Sequence, residues 1–162
     1  MASVVEPTHP RTSQVDSIRL GPWQQAAVYG ATALLVISGA VWLVFHCFVV
    51  RAGQFGPMIH PMEPWMLSVH GAAAMAALVA YGSLLPVHVR RSWRVGRNLR
   101  LGIGLGTVMS LLTVSGYLLY YAADERSRPI ISAGHWSIGL AVPALLWWHV
   151  ASGRSSTRGG RR

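Results

Sequence analysis

The stretch of sequence that decides the fold is PWMLSVHGAAAMAALVAYGSLLPVHV, residues 64–89. It contains no Asp, Glu, Lys or Arg, and it carries a histidine near each end, His70 and His88. An α-helix turns once in 3.6 residues and rises 1.5 Å per residue, so this spacing of eighteen residues makes about five turns and roughly 27 Å. We therefore expect both imidazoles to leave the same face of one helix, one near each surface of a membrane.

A second apolar stretch, residues 129–153, repeats this arrangement with His135 and His149. Fourteen residues separate these two histidines, which is just under four helical turns and about 21 Å. Two long helices with two histidines each are therefore the pattern that a functional hypothesis has to explain.

The composition of the chain is that of a membrane protein. Of its 162 residues, 52% are hydrophobic and only 12% are charged, whereas soluble domains carry about 25% charged residues. Charged residues are absent from four windows, each with roughly the 20 residues that are needed to cross a hydrocarbon core. We predict an all-α, integral membrane four-helix bundle. Its helices are expected at 22–50, 64–89, 101–123 and 129–153 within a transmembrane domain at 21–153, between a polar tail at 1–20 and a basic tail at 154–162.

The basic residues, all fourteen of them arginine, indicate the orientation of the bundle. Two precede the first helix, five lie between the second and third, and four follow the fourth, which leaves three on the opposite side. The positive-inside rule then predicts that both termini are cytoplasmic and that the connections at 51–63 and 124–128 face outward. Arginines that flank apolar runs favour this interpretation over a nucleic-acid-binding face, despite the net charge of +9. The absence of lysine is typical of a GC-rich bacterial genome, so the expected location is the bacterial cytoplasmic (inner) membrane.

The four histidines fall into two pairs at matching depths. The second and fourth predicted helices are separated by one crossing, so they run in the same direction. His70 and His135 consequently share the outer level, and His88 and His149 share the inner level. Histidine inside a membrane is costly and usually functional, and two facing imidazoles can ligate a haem iron from both sides. The pattern favours two stacked b-type haems, with His70 and His135 as iron ligands of the outer one and His88 and His149 of the inner one.

Other interpretations of the histidines stay open. They can be hydrogen-bonded bundle residues without a metal, and His46 offers a competing ligand at the outer level. In the outer connection, Met58, His60 and Met62 can hold copper, supply an alternative axial ligand or simply belong to a proline-stiffened loop. A structural zinc site fits less well, because it needs four ligands at one place. Proton relay or metal transport lacks an Asp or Glu inside any predicted helix. The single cysteine, Cys47, excludes an internal disulfide and a c-type haem attachment.

Two further features bear on whether rings fit between the helices. The third predicted helix has glycines where either a neighbouring helix or a flat macrocycle can approach closely, namely Gly102, Gly104, Gly106 and Gly116. Pro86 interrupts the second helix just before His88, so the segment 82–86 is expected to bend or overwind if His88 is to meet His149.

The arrangement of His70 and His88 on one helix with His135 and His149 on the next but one resembles the cytochrome b subunit of quinol:cytochrome c oxidoreductases. In that family two histidines on each of two helices hold two haems. The size and four-helix plan are also similar to the cytochrome b561-like and dehydrogenase-associated membrane cytochromes of bacteria. The likeness covers about residues 64–150, and the unequal spacings of eighteen and fourteen residues depart from a symmetric pattern.

The resemblance implies transmembrane electron transfer through two haem b groups that link quinone or quinol to an outward-facing redox partner. No nucleophile or carboxylate pair is present, so the chain is expected to be an electron-transfer subunit rather than a stand-alone enzyme. Its partners would be lipid and a redox protein or sister subunits of a respiratory or photosynthetic-type complex. By level, Arg126 or Arg128 would pair with the propionates of the outer haem, and Arg90, Arg91 or Arg94 with those of the inner haem. The competing functions are a histidine-lined membrane transporter or metal-binding protein, and a haem-free anchor subunit of a larger complex.

Overall fold

The computed structural model describes residues 20–49, 51–54, 56–95 and 99–159. Along these ranges the chain forms five α-helices, one π-helix and a small hairpin of two three-residue strands. In chain order they are α1 (Pro22–Phe48), β1 (Arg51–Gly53), β2 (Gly56–Met58), α2 (Met62–Leu84), the π-helix (Leu85–Val89), α3 (Arg90–Val95), α4 (Leu99–Tyr121) and α5 (Arg128–Gly159).

The predicted all-α membrane four-helix bundle is confirmed. Four helices are long and apolar enough to cross a membrane, and they lie at Pro22–Phe48, Met62–Leu84, Leu99–Tyr121 and Arg128–Arg154. The helix α1 begins where Pro22 occupies its first turn, a position that needs no backbone N–H, and the Gln24 side chain accepts the N–H of Gly21 at 3.1 Å. The protein is therefore a multi-pass membrane protein by the length and composition of its helices.

The ends of the elements lie within two residues of the predicted ones at most positions, and three differences affect the connections and the tail. The helix α2 begins at Met62, so Glu63 lies in its first turn and not in the preceding connection. The predicted inner connection at 90–100 begins with a helix, α3. The last helix continues to Gly159, so most of the predicted basic tail is helical. The predicted N-terminal tail lies, except for Leu20, outside the described residues.

The helices α1 and α2 form an antiparallel hairpin of closely packed small residues. The two helices run in opposite directions. Thr32 near the start of α1 bonds to Tyr81 near the end of α2, and His46 near the end of α1 bonds to Glu63 at the start of α2. The buried face of α2 consists of alanines at helical spacing, Ala73, Ala77 and Ala80. Because lipid is as apolar as these side chains, close approach of small residues drives such packing.

The helices α4 and α5 form a second antiparallel hairpin. The short turn between them is stabilised by Asp124, whose Oδ1 accepts hydrogen bonds from the hydroxyl and the backbone N–H of Ser127. These bonds lower the pKa of the Asp124 carboxyl. Contact between the two hairpins is much less extensive than within them, and most of it is between α1 and α5. A space consequently remains between the hairpins.

Large apolar side chains cover the outside of the bundle. Ile37, Val79 and Trp147 are 59%, 75% and 74% exposed. In water such surfaces would be unfavourable, but they are the surfaces that a membrane-spanning helix presents to lipid. The apolar exterior therefore agrees with a bundle that contacts lipid around its circumference.

Candidate functional site

The structure brings His70 on α2 together with His135 on α5 across the space between the hairpins. Their ring centroids are 6.2 Å apart and the ring planes are inclined by 72°. We call these two residues the outer pair, after the predicted topology. They are the residues that chain direction places at one level.

His88 and His149 form a second pair, the inner pair, with almost the same geometry. Their ring centroids are 6.4 Å apart and the planes are inclined by 71°. His88 lies in the π-helix that follows α2, next to Pro86. The expected distortion is therefore present. Of the two predicted forms, a bend or an overwound turn, the overwound turn is wrong, because a π-helix bonds residue i to i+5 and is underwound.

The physical reason for this underwinding lies in Pro86, which has no backbone N–H to continue the α-helical ladder. The carbonyl of Gly82, the acceptor that Pro86 would otherwise use, instead accepts the N–H of Leu85 at the end of α2. The wider turn then carries His88 to the cavity side, opposite His149.

The separation within each pair fits one metal ion held between two imidazoles. A histidine nitrogen ligates a metal at about 2.0–2.1 Å and lies about 1.1 Å from its ring centre, so two opposed ligands have centroids about 6.3 Å apart. The observed 6.2 and 6.4 Å match this distance at both levels. Two aromatic rings in direct contact also have centroids about 4.5–7 Å apart, so the distance alone does not distinguish a metal site from ring contact. The hydrogen bonds of the rings provide the further evidence.

The ring of His70 is fixed through its Nδ1 atom. Nδ1 lies 3.0 Å from the carbonyl oxygen of Leu35 and 3.0 Å from Oγ of Ser38, both on α1. The Ser38 hydroxyl donates to the carbonyl of Leu34 at 2.7 Å, so its oxygen acts as an acceptor toward the imidazole. A carbonyl can only accept. This network assigns the proton to Nδ1 and leaves the lone pair on Nε2.

His135 is fixed in the same way by the other hairpin. Its Nδ1 lies 2.8 Å from Oγ of Ser115 on α4, and the Ser115 hydroxyl can donate to the carbonyl of Leu112 at 3.2 Å. Metal-ligating histidines usually donate their second ring N–H to such an acceptor, which fixes the tautomer and orients the ring. The hydrogen bonds of both outer-pair histidines thus involve Nδ1 and match the tautomer that a metal-binding Nε2 requires.

Glycines on the neighbouring helices make room for three of the four rings. A Cβ atom added at Gly39 would lie 3.3 Å from Cε1 of His70, and one at Gly116 would lie 3.4 Å from Cε1 of His135. At Gly102 it would lie 3.6 Å from Cε1 of His149. Gly102 and Gly116 are fourteen residues apart, the same spacing as the two histidines of α5. The glycines at these positions therefore seat imidazoles against the helix, whereas Gly104 and Gly106 have no such neighbour within 4 Å.

Sequence reasoning missed the two serines. The signal that could have revealed them is a repeated dipeptide: Ser38-Gly39 on α1 and Ser115-Gly116 on α4 each contact the outer-level histidine of their own hairpin. The serine fixes Nδ1 and the glycine admits the ring. The two hairpins thus position their outer histidines with the same pair of residues.

A large cavity lies between the hairpins and is lined by both histidine pairs. Its volume is about 3320 Å³, compared with about 300–1,000 Å³ for the site of one small molecule. Apolar residues make up most of the lining. The cavity is thus large enough for more than one bulky apolar group, and each histidine pair lies at a different depth within it.

The lining also includes two arginines of α5: Arg128, seven residues before His135, and Arg154, five residues after His149. The guanidinium of Arg128 donates to the carbonyls of Leu119 and Ala123 at 2.9 and 3.0 Å, so it also caps the end of α4. Arg154 was assigned to the tail by sequence reasoning, and it lies in α5.

The competing ligand His46 lies beside Glu63. Its Nδ1 is 2.9 Å from Oε2 of this buried carboxylate, and its ring stacks on Trp42. The expectation that no acidic residue lies inside a helix is therefore wrong, because α2 begins earlier than predicted and includes Glu63. His60 stacks on Phe45, and its Nδ1 accepts the backbone N–H of Met62 at 3.2 Å.

Within the described ranges, no group of three or more His, Cys, Asp and Glu side chains is arranged to hold a metal ion. The histidines instead occur as the two opposed pairs. No protein-family model, curated protein or solved structure matches the chain.

Proposed function

We propose that the protein carries electrons across the membrane through two b-type haems, each held between the two histidines of one pair. The observation that carries this proposal is the presence of two pairs of imidazoles across one apolar cavity, with ring centroids 6.2 Å apart in one pair and 6.4 Å apart in the other. At the outer level, the bonds from Nδ1 to Ser38 and Ser115 add support, because they leave Nε2 for the iron.

The residues of the chain have three tasks in this function. The histidines would hold the haem iron, the glycines beside them allow the imidazole rings to lie close to the helices, and the apolar lining would exclude water. When bound, haem supplies one-electron redox chemistry, whose potential depends on ligand identity, burial and nearby charge. Arg128 and Arg154 line the cavity at its two levels, and we assign them to the carboxylates of the outer and inner haem respectively. This assignment keeps Arg128 from the sequence hypothesis and replaces Arg90, Arg91 and Arg94 with Arg154.

The proposed orientation has both termini in the cytoplasm of a bacterial cell, since most of the arginines lie on that side. The inner pair then lies near the cytoplasmic surface and the outer pair near the opposite surface. Electrons would pass between the quinone pool and an outward-facing redox partner or sister subunits.

A visible spectrum of the purified, dithionite-reduced protein tests the haem proposal. We expect a b-type α-band with two haems per chain. The variants His88→Ala and His149→Ala should each lose the same haem, and His70→Ala and His135→Ala the other. Absence of an α-band in protein produced with sufficient haem would refute the proposal.

The matched control is His60→Ala, which removes a histidine outside both pairs and should retain both haems. If His70→Ala retains both haems while His46→Ala loses one, the assignment of the outer ligand is wrong. If one variant from each pair removes the same haem, the pairing itself is wrong.

A further inference from the structure

A buried carboxylate orients an imidazole at the outer end of the cavity. Glu63 is only 8% exposed, and its Oε2 lies 2.9 Å from Nδ1 of His46. Its other oxygen, Oε1, accepts the backbone N–H of His60 at 3.2 Å. A buried charge is costly unless it is bonded in this way, so the position of Glu63 depends on His46. The haem proposal makes no use of this pair.

The pair lies directly outward of the outer histidine pair. Gly39 on α1 lies against His70 on α2. His46 follows Gly39 by seven residues on α1, and Glu63 precedes His70 by seven residues on α2. Seven residues are about two turns, so the two contacts lie on the same face and roughly 10.5 Å apart. His46 lines the same cavity. A molecule at His46 would therefore lie between the outer pair and the outer membrane surface.

The hydrogen bond to Glu63 determines what His46 can offer a ligand. A carboxylate accepts hydrogen bonds, so the neutral imidazole donates from Nδ1 and carries its lone pair on Nε2. The His46 side chain is 56% exposed although its Glu63 partner is buried. Nε2 is thus an oriented acceptor on a ring that a ligand can reach.

Trp42 adds a donor one helical turn away. Its ring is stacked on His46 with centroids 4.6 Å apart and planes inclined by 14°. Its Nε1 atom is buried and has no hydrogen-bond partner among the described residues. Buried donors in proteins are nearly always paired, so an unpaired one calls for an explanation. An oxygen atom bound beside His46 and Trp42 would provide one.

The side chains around His46 and Trp42 favour an uncharged, mostly apolar ligand that carries a hydroxyl group. A hydroxyl donates one hydrogen bond and accepts others, which matches an acceptor on His46 and a donor on Trp42. The carboxylate of Glu63 disfavours an anionic ligand, including a haem propionate. The cavity lining nearby is largely apolar, with Leu43, Pro64 and Leu67.

We infer that His46, oriented by Glu63, and Trp42 bind the hydroxyl of a lipid-soluble hydroquinone at the outer end of the cavity. This inference rests on the proposed electron-transfer function for its choice of a hydroquinone among apolar alcohols. The hydroxyl donates to Nε2 of His46, and its oxygen accepts from Nε1 of Trp42. The hydroquinone ring lies among the apolar side chains, between the outer pair and the outer membrane surface.

Calorimetric titration of the full chain in lipid nanodiscs tests the site with duroquinol and its dimethyl ether. The ether has the same ring but cannot donate, so the wild type should bind duroquinol about tenfold more tightly, the value of one well-made hydrogen bond. His46→Phe keeps a ring on Trp42 but removes the acceptor, and it should abolish this preference. Trp42→Phe should weaken the binding of both compounds. The matched control His60→Phe changes the neighbouring histidine and should preserve the preference.

Because His46→Phe leaves the Glu63 carboxylate without its imidazole, the double variant His46→Phe/Glu63→Leu repeats the measurement without a buried charge. Equal affinities of the wild type for duroquinol and the ether would refute the site. So would a preference that survives in both His46 variants.

The haem spectrum of the same samples separates this inference from the proposed function. All variants at His46, Trp42 and Glu63 should retain both haems. Loss of a haem in His46→Phe would overturn the inference, because His46 would then belong to the haem site. Wild-type protein without haem that still prefers duroquinol would refute the proposed function while the hydroquinone site stands.

Discussion

Replacement of Ser115 by alanine should weaken haem binding at the proposed outer site more than replacement of Ser38. Within the described residues, Ser115 Oγ provides the acceptor for Nδ1 of His135, at 2.8 Å. Without it, a partly buried N–H loses its partner, and the ring loses the contact that fixes its tautomer. Loss of such a second contact typically lowers metal affinity about 10–100-fold, or about 1.4–2.7 kcal/mol. We expect this loss for haem at the outer pair in Ser115→Ala.

Ser38→Ala should have a smaller effect, because Nδ1 of His70 has a second acceptor. The carbonyl oxygen of Leu35 lies 3.0 Å from Nδ1, the same distance as Ser38 Oγ. After the substitution the N–H can donate to the carbonyl alone, so the desolvation penalty is largely avoided. We expect a loss of about threefold, which corresponds to about 0.6 kcal/mol.

The measurement requires a protein with a single haem site. In a His88→Ala/His149→Ala background only the outer pair remains, and haem titration of the apoprotein followed by absorbance gives its affinity. Ser110→Ala is the matched control, since the Ser110 hydroxyl donates to the carbonyl of Gly106 within its own helix and, among the described residues, bonds to no imidazole. Equal effects of Ser38→Ala and Ser115→Ala, or an effect no larger than that of the control, would show that these serines do not act through the histidines.

Gly116→Val should displace the His135 imidazole, because even a Cβ atom at this position would lie 3.4 Å from Cε1 of that ring. Overpacking of this kind typically costs about 1–3 kcal/mol, so we expect loss of the proposed outer haem. Gly104→Val, where nothing lies within 4 Å of the added Cβ, should retain the α-band of both haems and serves as the control. Tyr81→Phe should lower the stability of the bundle in detergent by about 1 kcal/mol, because it removes the 2.7 Å hydrogen bond to buried Thr32. Thermal unfolding measures this effect against Tyr120→Phe, a change at an exposed ring, and equal melting temperatures of the two variants would contradict it.

The transmembrane helices could be predicted from the sequence because charge and hydropathy determine them almost alone. Four windows without charged residues correspond to four long helices, with end points that move by a few residues. The facing of the histidines across the bundle follows from chain direction and helical geometry, and the structure brings together His70 with His135 and His88 with His149. Their role as haem ligands stays a prediction.

The residues that support the histidines could not be predicted in the same way. A serine in a membrane helix usually bonds to a carbonyl of its own helix, as Ser68 and Ser110 do. Ser38 and Ser115 make such bonds as well, and only packing against a second helix adds the imidazole. The role of Glu63 likewise depends on where α2 begins and on His46 from α1, neither of which periodicity determines.

The π-helix partly compensates for the unequal spacing of the histidines on the two helices. In regular helices, eighteen residues on α2 and fourteen on α5 would differ in rise by about 6 Å, so the inner histidines would miss each other when the outer ones meet. The observed pairs nevertheless have centroid separations of 6.2 and 6.4 Å. A π-helix places more residues in each turn, so Leu85–Val89 absorbs part of this excess. Because π-helical turns are rare and occur frequently at functional sites, the distortion at Pro86 is best understood as the means by which a proline-interrupted helix still presents His88 to His149.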